Sequence, residues 1–406
     1  MSTIKSSNEH LTLNADGSSK DIKFQANGVE KASISSAGAF TSTTIDATKL
    51  TGNLPAISGA SLTNVNAVNG GRKNMIINGA MQVAQRGATS TSEGYASVDR
   101  FFTYKENTDQ LTITQATHDT VPDGFGASWK IDVGTAETSI EANDLYQITT
   151  RLEGQDLQHL KFGTSSAQSI TLQFWARSSK TGTYVVNLYN SGSTRNITNT
   201  YTISTINTWE HKTMTFVGDT SNGFANTNAR GLDVQWQLMA GSNFTGTAST
   251  SWGAVSDARQ ANGQSTTWGE AASDTFYITG VQLEVGSTAT DFEQRSYGEE
   301  LALCQRYYFA PSQSSMGIGR GDGSAGLHCS LPIPVPLRAN PTVPSTVSVI
   351  AYMHDAASSQ ASSGISNPVN REGQVTFTLA SLSSMNDDRN GAFKVNSSSW
   401  YFDSEL

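Results

Sequence analysis

Apolar residues in the first 70 positions come singly or in short alternations: Leu11/Leu13, Ile22/Phe24, then Ile34, Phe40, Ile45, Leu50, Leu54, Ile57, Leu62 and Val65. Gly, Asn, Asp and Ser separate them, a spacing that is neither helical nor that of a packed sandwich. Asn14-Ala15-Asp16-Gly17 and Asn27-Gly28 have the chemistry of tight turns, so residues 1–70 predict an extended stem with hairpins. Ordering about 70 residues costs on the order of 70 to 140 kcal/mol of backbone entropy. So few apolar groups cannot offset that within one chain, and partner copies are expected to supply the missing core.

From 71 to 295 the pattern changes to alternating segments rich in Val, Ile, Thr and aromatic residues, the period of half-buried strands. Ten strands are predicted, at 98–104, 111–116, 127–133, 140–152, 169–176, 183–189, 197–203, 209–217, 232–239 and 275–285, with one short helical candidate at 155–160. A two-sheet sandwich accommodates them. Its core is expected to hold Phe102, Trp129, Phe174, Val186, Phe216, Trp236 and Ile278, with Trp175 as another buried strand tryptophan. Ser296-Tyr297-Gly298-Glu299 has the form of a capping box, and Leu301, Cys304 and Tyr308 follow at helical spacing. A connecting helix is therefore expected within 296–311, ending near Ala310-Pro311 and acting as a stiff joint. Residues 312–406 open on a Gly-rich stretch and continue through Pro332, Pro334 and Pro336, which suit an edge or irregular segment. Strand candidates at 346–352, 374–379 and 393–395 make this a small β domain.

Charge narrows the function classes. The 406 residues carry 26 basic and 35 acidic side chains, net −9, and only 15% are charged. Basic residues gather nowhere, which disfavours nucleic acid and anionic membranes as partners. No apolar run reaches the roughly 20 residues that span a bilayer, and Met1 to Ser7 lack a signal peptide's apolar segment, so synthesis in a cytosol without export by that route is expected. Two cysteines, Cys304 and Cys329, cannot make a disulfide framework or a zinc site, and both are expected as core thiols.

Three stretches carry a resemblance. Asp46 to Val65 (DATKLTGNLPAISGASLTNV) resembles the repeat-like stem of trimeric bacteriophage fibres. Asn74 to Gly87 (NMIINGAMQVAQRG) resembles the opening of a domain found in many phage tail-fibre and related virion proteins. The far end of that domain is matched by Ile278 to Gly286 (ITGVQLEVG) and Arg295 to Tyr308 (RSYGEELALCQRYY). The resemblance implies a homotrimeric virion fibre whose middle domain, 71–295, is a jelly roll like those of carbohydrate-binding modules. It also implies assembly in the host cytoplasm, attachment to the tail or capsid through the stem, and a host surface glycan or protein as the distal partner. A tail fibre for host recognition is the first reading. A capsid fibre or decoration protein is the second, and a secreted carbohydrate-binding adhesin the third.

Chemistry points to binding rather than catalysis. The six histidines are scattered, no Gly-x-Ser-x-Gly occurs, and no Asp/Asn cluster has calcium-ligand spacing, so no catalytic residue, metal or cofactor is expected. Sugar binding needs aromatic faces beside amides and hydroxyls. Residues 241–273 have that composition, with Trp252 and Trp268 among Asn243, Asn262 and Gln264, in a loop far longer than the usual four to six residues. Either the two rings face a glycan, or they fold back as a lid over the core or against a neighbouring subunit. Together with Tyr352, His354 and Trp400 of the last segment they form the candidate glycan- or receptor-binding set. Arg320-Gly321-Asp322 is read as a turn within the Gly-rich stretch.

Overall fold

The computed structural model describes residues 20–37, 40–42, 72–107, 112–117, 121–246, 249–312, 315–321, 326–344, 349–353, 359–362, 364–371, 373–380, 382, 390–395 and 400–406. The chain is all-β apart from short helical elements, and it divides into two units, Met1–Ala67 and Val68–Leu406.

In the first unit β1 (Ile22–Ala26), β2 (Val29–Ile34) and β3 (Phe40–Ser42) form one antiparallel sheet. Asn27 and Gly28 take positive φ, 53° and 75°, as the mirror-image hairpin turn requires. Phe24 and Val29 are 41% and 56% exposed, so this sheet buries little of its own apolar surface. The turn expected at 14–17 and the stretch 46–65 lie outside the described residues.

The second unit opens with a jelly-roll sandwich. Its strands are β4 (Thr89–Ser90), β5 (Phe101–Glu106), β6 (Thr112–Thr117), β7 (Trp129–Thr135), β8 (Leu145–Glu153), β9 (Ile170–Ser178), β10 (Gly182–Asn190), β11 (Arg195–Ile203), β12 (Glu210–Phe216), β13 (Arg230–Ala240), β14 (Gly253–Ala254) and β15 (Thr275–Val285). They form two six-stranded antiparallel sheets, β14-β11-β10-β13-β8-β5 and β12-β9-β15-β7-β6-β4. The ten longer strands fall where alternation placed them, and the helical candidate is a 3₁₀ helix, Gly154–Leu160. Between the sheets lie Ile170, Leu172 and Phe174 of β9, Leu232, Val234 and Trp236 of β13, and Trp129, Val186, Phe216 and Ile278. Two expectations need correction. Phe102 follows the inward-facing Phe101, and in a strand only one of two neighbours faces the core. Phe102 therefore lies on the other side of its sheet from the inter-sheet core, where it is buried, 7% exposed, and packs on Tyr95 with ring centroids 4.9 Å apart. Trp175 likewise follows Phe174, is only partly buried, and lies against His211 at 5.1 Å.

The sandwich is closed by a clasp between segments more than 200 residues apart. Asn74 donates through Nδ2 to the Val281 carbonyl at 3.0 Å, while its Oδ1 accepts from Leu283 N at 3.1 Å. Val281 N donates to the Gly79 carbonyl at 2.9 Å. A Cβ on Gly79 would overlap the Val281 carbonyl oxygen and lie 3.1 Å from its carbon, so only glycine permits this approach. Arg295 donates to the carbonyls of Asn74 and Ile76 and pairs with Glu300, whose Oε1 also accepts from Asn78 N. Glu300 sits in the first turn of α1 (Tyr297–Gln305), and both halves of the predicted capping box, Ser296 and Glu299, are formed. The helix ends at Gln305, earlier than expected. It is fastened by Glu300, and by Arg306 and Tyr307 on Glu153 at 2.6 to 2.9 Å, and so takes part in the sandwich's closure.

Beyond it, β16 (Tyr308–Phe309) leads into a small domain of β17 (Met316–Gly321), β18 (Leu327–Pro332), β19 (Val349–Met353), β20 (Ser359–Ser362), β21 (Gly364–Arg371), β22 (Gln374–Ala380) and β23 (Asn390–Val395), with β24 (Phe402–Asp403) pairing back onto β16. The seven-stranded sheet runs β20-β19-β23-β17-β18-β22-β21. The Gly-rich stretch begins as a strand, so Arg320 and Gly321 end β17 rather than a turn, while Asp322 lies outside the described residues. Gly317 and Gly319 leave room for Phe393 and Leu327; a Cβ on Gly319 would lie 2.7 Å from the Leu327 Cγ. Residues 402–406 run against the sandwich. Arg86 and Arg100 pair with Glu405, Arg86 also with Asp403, and Arg338 donates to the carbonyls of Ser404 and Glu405. Cys304 and Cys329 are both buried and free.

Candidate functional site

The outward face of the sheet β14-β11-β10-β13-β8-β5 carries the most distinctive polar arrangement of the sandwich. Alternation sends Leu232, Val234, Trp236 and Leu238 inward, so Asp233, Gln235 and Gln237 of β13 point the other way. Register then aligns them with neighbours on each side: Asn187 and Thr149 flank Gln235, Gln147 lies opposite Gln237, and Tyr189 and Arg151 flank Asp233. The amides link into chains. Asn196 Nδ2 donates to Asn187 Oδ1 at 2.9 Å, Asn187 Nδ2 to Gln235 Oε1 at 2.7 Å, and Gln237 Nε2 to Gln147 Oε1 at 2.9 Å. Asp233 pairs with Arg230 and lies 3.5 Å from Arg151. Burial works against the Arg230 cation, but the hydrogen bonds and charge of Asp233 outweigh it and raise its pKa.

Two buried polar atoms on this face have no hydrogen-bond partner, Thr149 Oγ1 and Gln237 Oε1, while Arg151 Nε has only the Asp233 carboxylate at 3.5 Å. Buried polar groups are nearly always satisfied, so ordered water or a ligand hydroxyl is needed to complete these atoms. Aromatic side chains frame it. Tyr104, opposite Gln147, is 39% exposed, and Tyr189 is partly buried beneath the Arg230 guanidinium. Burial and the nearby Glu106 raise the Tyr104 pKa above 10, so its hydroxyl stays protonated near neutrality. Amides, a hydroxyl and a guanidinium between phenol rings can bind a polyhydroxylated ligand without doing chemistry on it.

The predicted aromatic contacts do not meet here, and several need correction. Trp268 is fully buried in the sandwich core against Tyr146, centroids 5.6 Å apart. Trp400 is 1% exposed in the core of the small domain, packed on Phe377 and Phe402. Trp252 is partly buried, edge-on to Phe162, with Nε1 donating to the Val217 carbonyl at 2.7 Å. Residues 241–273 thus fold back on the sandwich, adding β14 to the edge of β11, because burying these large rings outweighs leaving them in water. Asn262, expected at a sugar, donates instead to the Thr245 carbonyl at 3.1 Å within that loop. Tyr352 is 40% exposed on β19, while His354 lies outside the described residues. The amide rows are not visible in strand alternation, which marks a polar position without saying what lies opposite it. Their signal was Gln and Asn where Lys and Glu are usual. Among the described residues no cluster of His, Cys, Asp and Glu is arranged to hold a metal ion.

No protein-family model matches the chain, and no curated protein matches it in sequence. Among solved structures it is similar to the enzymatically active domain of tailspike protein 4 of bacteriophage CBA120, at 12% identity and TM-score 0.29 over 52% of this chain. Only 21% of that tailspike domain is covered. It is also similar to a family 11 carbohydrate-binding module from Clostridium thermocellum, at 9% identity and TM-score 0.26, covering 50% of this chain and 96% of the module. A xylan-binding domain from Paenibacillus barcinonensis is matched at 12% identity and TM-score 0.24, over 45% of this chain and 91% of that one. Values this low leave the chemistry of the face to be argued from its own side chains.

Proposed function

We propose that this chain is a saccharide-binding fibre protein of a bacteriophage virion, with the glycan held on the outward face of the β14–β5 sheet. The observation that carries the binding reading is the pair of unsatisfied atoms of Thr149 and Gln237 on a floor of linked amides beside Tyr104 and Tyr189. The ligand is a neutral or weakly charged segment of host surface polysaccharide, bound without cleavage. The fibre reading adds a homotrimer joined to the tail, or alternatively the capsid, through the N-terminal stem. Its support is the exposure of Phe24 and Val29 in a sheet with almost no core of its own, which partner copies would cover. Three copies engaging one surface raise avidity by orders of magnitude over a single weak site.

A printed array of bacterial surface polysaccharides, probed with the full chain and with Gln147→Ala/Gln237→Ala, tests the binding face. Loss of these two amides should weaken retention by about tenfold, given about 0.5 to 1.5 kcal/mol for each neutral hydrogen bond lost. A double variant that is folded and retained like the parent sinks the assignment. Native mass measurement tests the assembly, and a monodisperse monomer refutes the trimeric fibre while leaving the binding face standing.

A further inference from the structure

Residues 402–406 follow the small domain in sequence, yet they reach the sheet that carries the amide floor. After the β16–β24 pairing, Arg338 donates to the carbonyls of Ser404 and Glu405 at 2.7 and 2.8 Å, and Ser404 N donates to the Tyr307 carbonyl at 2.8 Å. The Glu405 side chain, 6% exposed, lies between two arginines of the sandwich: it pairs with the buried Arg100 and is 3.3 Å from Arg86. Arg100 also donates to the Arg151 carbonyl at 2.6 Å. Arg151 is where this segment meets the floor. Its guanidinium lies over the Phe102 ring, 4.2 Å from the centroid, and Nη1 donates to the Leu406 carbonyl, while Nε stays 3.5 Å from the Asp233 carboxylate. That last separation is longer than a hydrogen bond, and Arg230 already holds Asp233. The Leu406 carbonyl and the ring therefore fix the Arg151 side chain. It stays 21% exposed, two positions along β8 from Thr149 and on the same face.

We propose that residues 403–406 are a strap that positions Arg151 for the saccharide, so that the sandwich face reaches full affinity only when the strap is seated. The inference rests on the saccharide reading of that face. Arginine is among the side chains that lose most rotamer freedom when ordered. One already held in place can donate to a sugar hydroxyl without the ordering cost that a loose one pays on binding. Glu405 and Arg338 are positioning residues, which touch the strap or its anchors and not the ligand; Arg151 is the contact. The chemistry of the anchors suits this role. A buried ion pair such as Arg100 with Glu405 spends much of its attraction on desolvation, so it adds little net stability, but the planar guanidinium fork gives it a fixed geometry. Orientation is what it supplies here, through the Arg100 bond to the Arg151 carbonyl and the run of chain from Glu405 to Leu406.

The test is a double-mutant cycle on the full chain, read as retention by the printed array of bacterial surface polysaccharides, with melting temperatures measured alongside. Arg338→Ala removes two strap hydrogen bonds at a position outside the sandwich face and should weaken retention by about three- to tenfold, the scale of one side chain left to be ordered on binding. Arg338→Lys, which can still reach a strap carbonyl, should restore part of that. Arg151→Ala should weaken retention at least as much, and in that background Arg338→Ala should change it by less than about twofold, because contacts that act through one another are not additive. If Arg338→Ala unfolds the chain, Glu405→Gln takes its place in the cycle, keeping the side chain's shape while removing its charge from Arg100. The proposal is overturned if the folded strap variants are retained as the parent is, or if their effect adds in full to that of Arg151→Ala, as a general loss of stability would. If no polysaccharide retains the parent, the saccharide reading itself fails and the strap's role with it. If the parent is retained and Gln147→Ala/Gln237→Ala is not, while the strap variants match the parent, the strap inference alone falls.

Discussion

Replacing Gly79 by alanine tests whether the clasp, rather than the sheets alone, holds the sandwich shut. The new methyl would occupy the space of the Val281 carbonyl oxygen, and backbone cannot rotate aside as a flexible side chain can. Moving that carbonyl disturbs three hydrogen bonds: Val281 N to Gly79 O at 2.9 Å, Asn74 Nδ2 to Val281 O at 3.0 Å, and Leu283 N to Asn74 Oδ1 at 3.1 Å. At about 1 kcal/mol net each, the loss is about 3 kcal/mol, more if a buried donor is left unpaired. A chain this long loses on the order of 3 kcal/mol per molar urea, so the unfolding midpoint should fall by about 1 M. Tryptophan fluorescence reports it, since Trp129, Trp236 and Trp268 are buried in the sandwich. Gly298→Ala is the control: nothing lies within 4 Å of its added Cβ in α1, and helix propensity should raise stability by about 0.5 to 1 kcal/mol. A Gly79→Ala midpoint within about 0.2 M of the parent, a loss of roughly 0.6 kcal/mol at that slope, would show that the clasp is dispensable.

Trp268→Ala should cost about 3 to 5 kcal/mol as a core truncation, read as a lower melting temperature with saccharide binding retained by the folded protein; the opposite pattern would restore the ring as a ligand contact. Asp99, pushed up to about 6 from 3.8 chiefly by burial, holds its proton more tightly when folded than when unfolded. Its contribution to stability is therefore present below about pH 4 and lost as pH rises to about 6, by up to about 3 kcal/mol. Asp99→Asn should flatten that decline in melting temperature between pH 4 and 6, and an unchanged profile would place the titration elsewhere.

Much of the architecture was legible where one physical rule acted alone. Strand alternation located the ten long strands, Asn27-Gly28 the hairpin, and Ser296 with Glu299 the helix start, because each depends on residues within a few positions. Reading failed where two rules competed. In β9 the inward phase is Ile170, Leu172, Phe174 and Ala176, so Trp175 shares the outward phase with Gln173 and Arg177; its aromatic character was allowed to override that phase. Gly317 and Gly319 looked like loop residues because their need for small size comes from Phe393 and Leu327, distant neighbours that no local pattern contains. For Trp268 the reading of a lid folded over the core is the one that holds, and Trp400, placed with the ligand contacts, is core as well; the partners that bury them, Tyr146 and Phe377, are fixed only by the completed fold. The amide rows share that dependence, since Gln237 meets Gln147 only through the pairing of β13 with β8.

The clasp also sets a schedule for synthesis. Asn78 and Glu300 are 222 positions apart, and a ribosome adding about 5 to 20 residues per second needs roughly 10 to 45 s to travel that distance. For most of that interval the nascent sandwich lacks Val281, and Glu300 arrives only at its end, so the segment around Asn74 has little to fasten onto and strand edges stay open to other chains. A transcript broken just before the codon for Glu300 therefore yields a polypeptide that holds every strand of the sandwich but lacks the carboxylate that fastens Asn78 and Arg295. Fragments of that kind are suited to aggregation or proteolysis, which would keep incomplete copies from competing with intact ones during assembly.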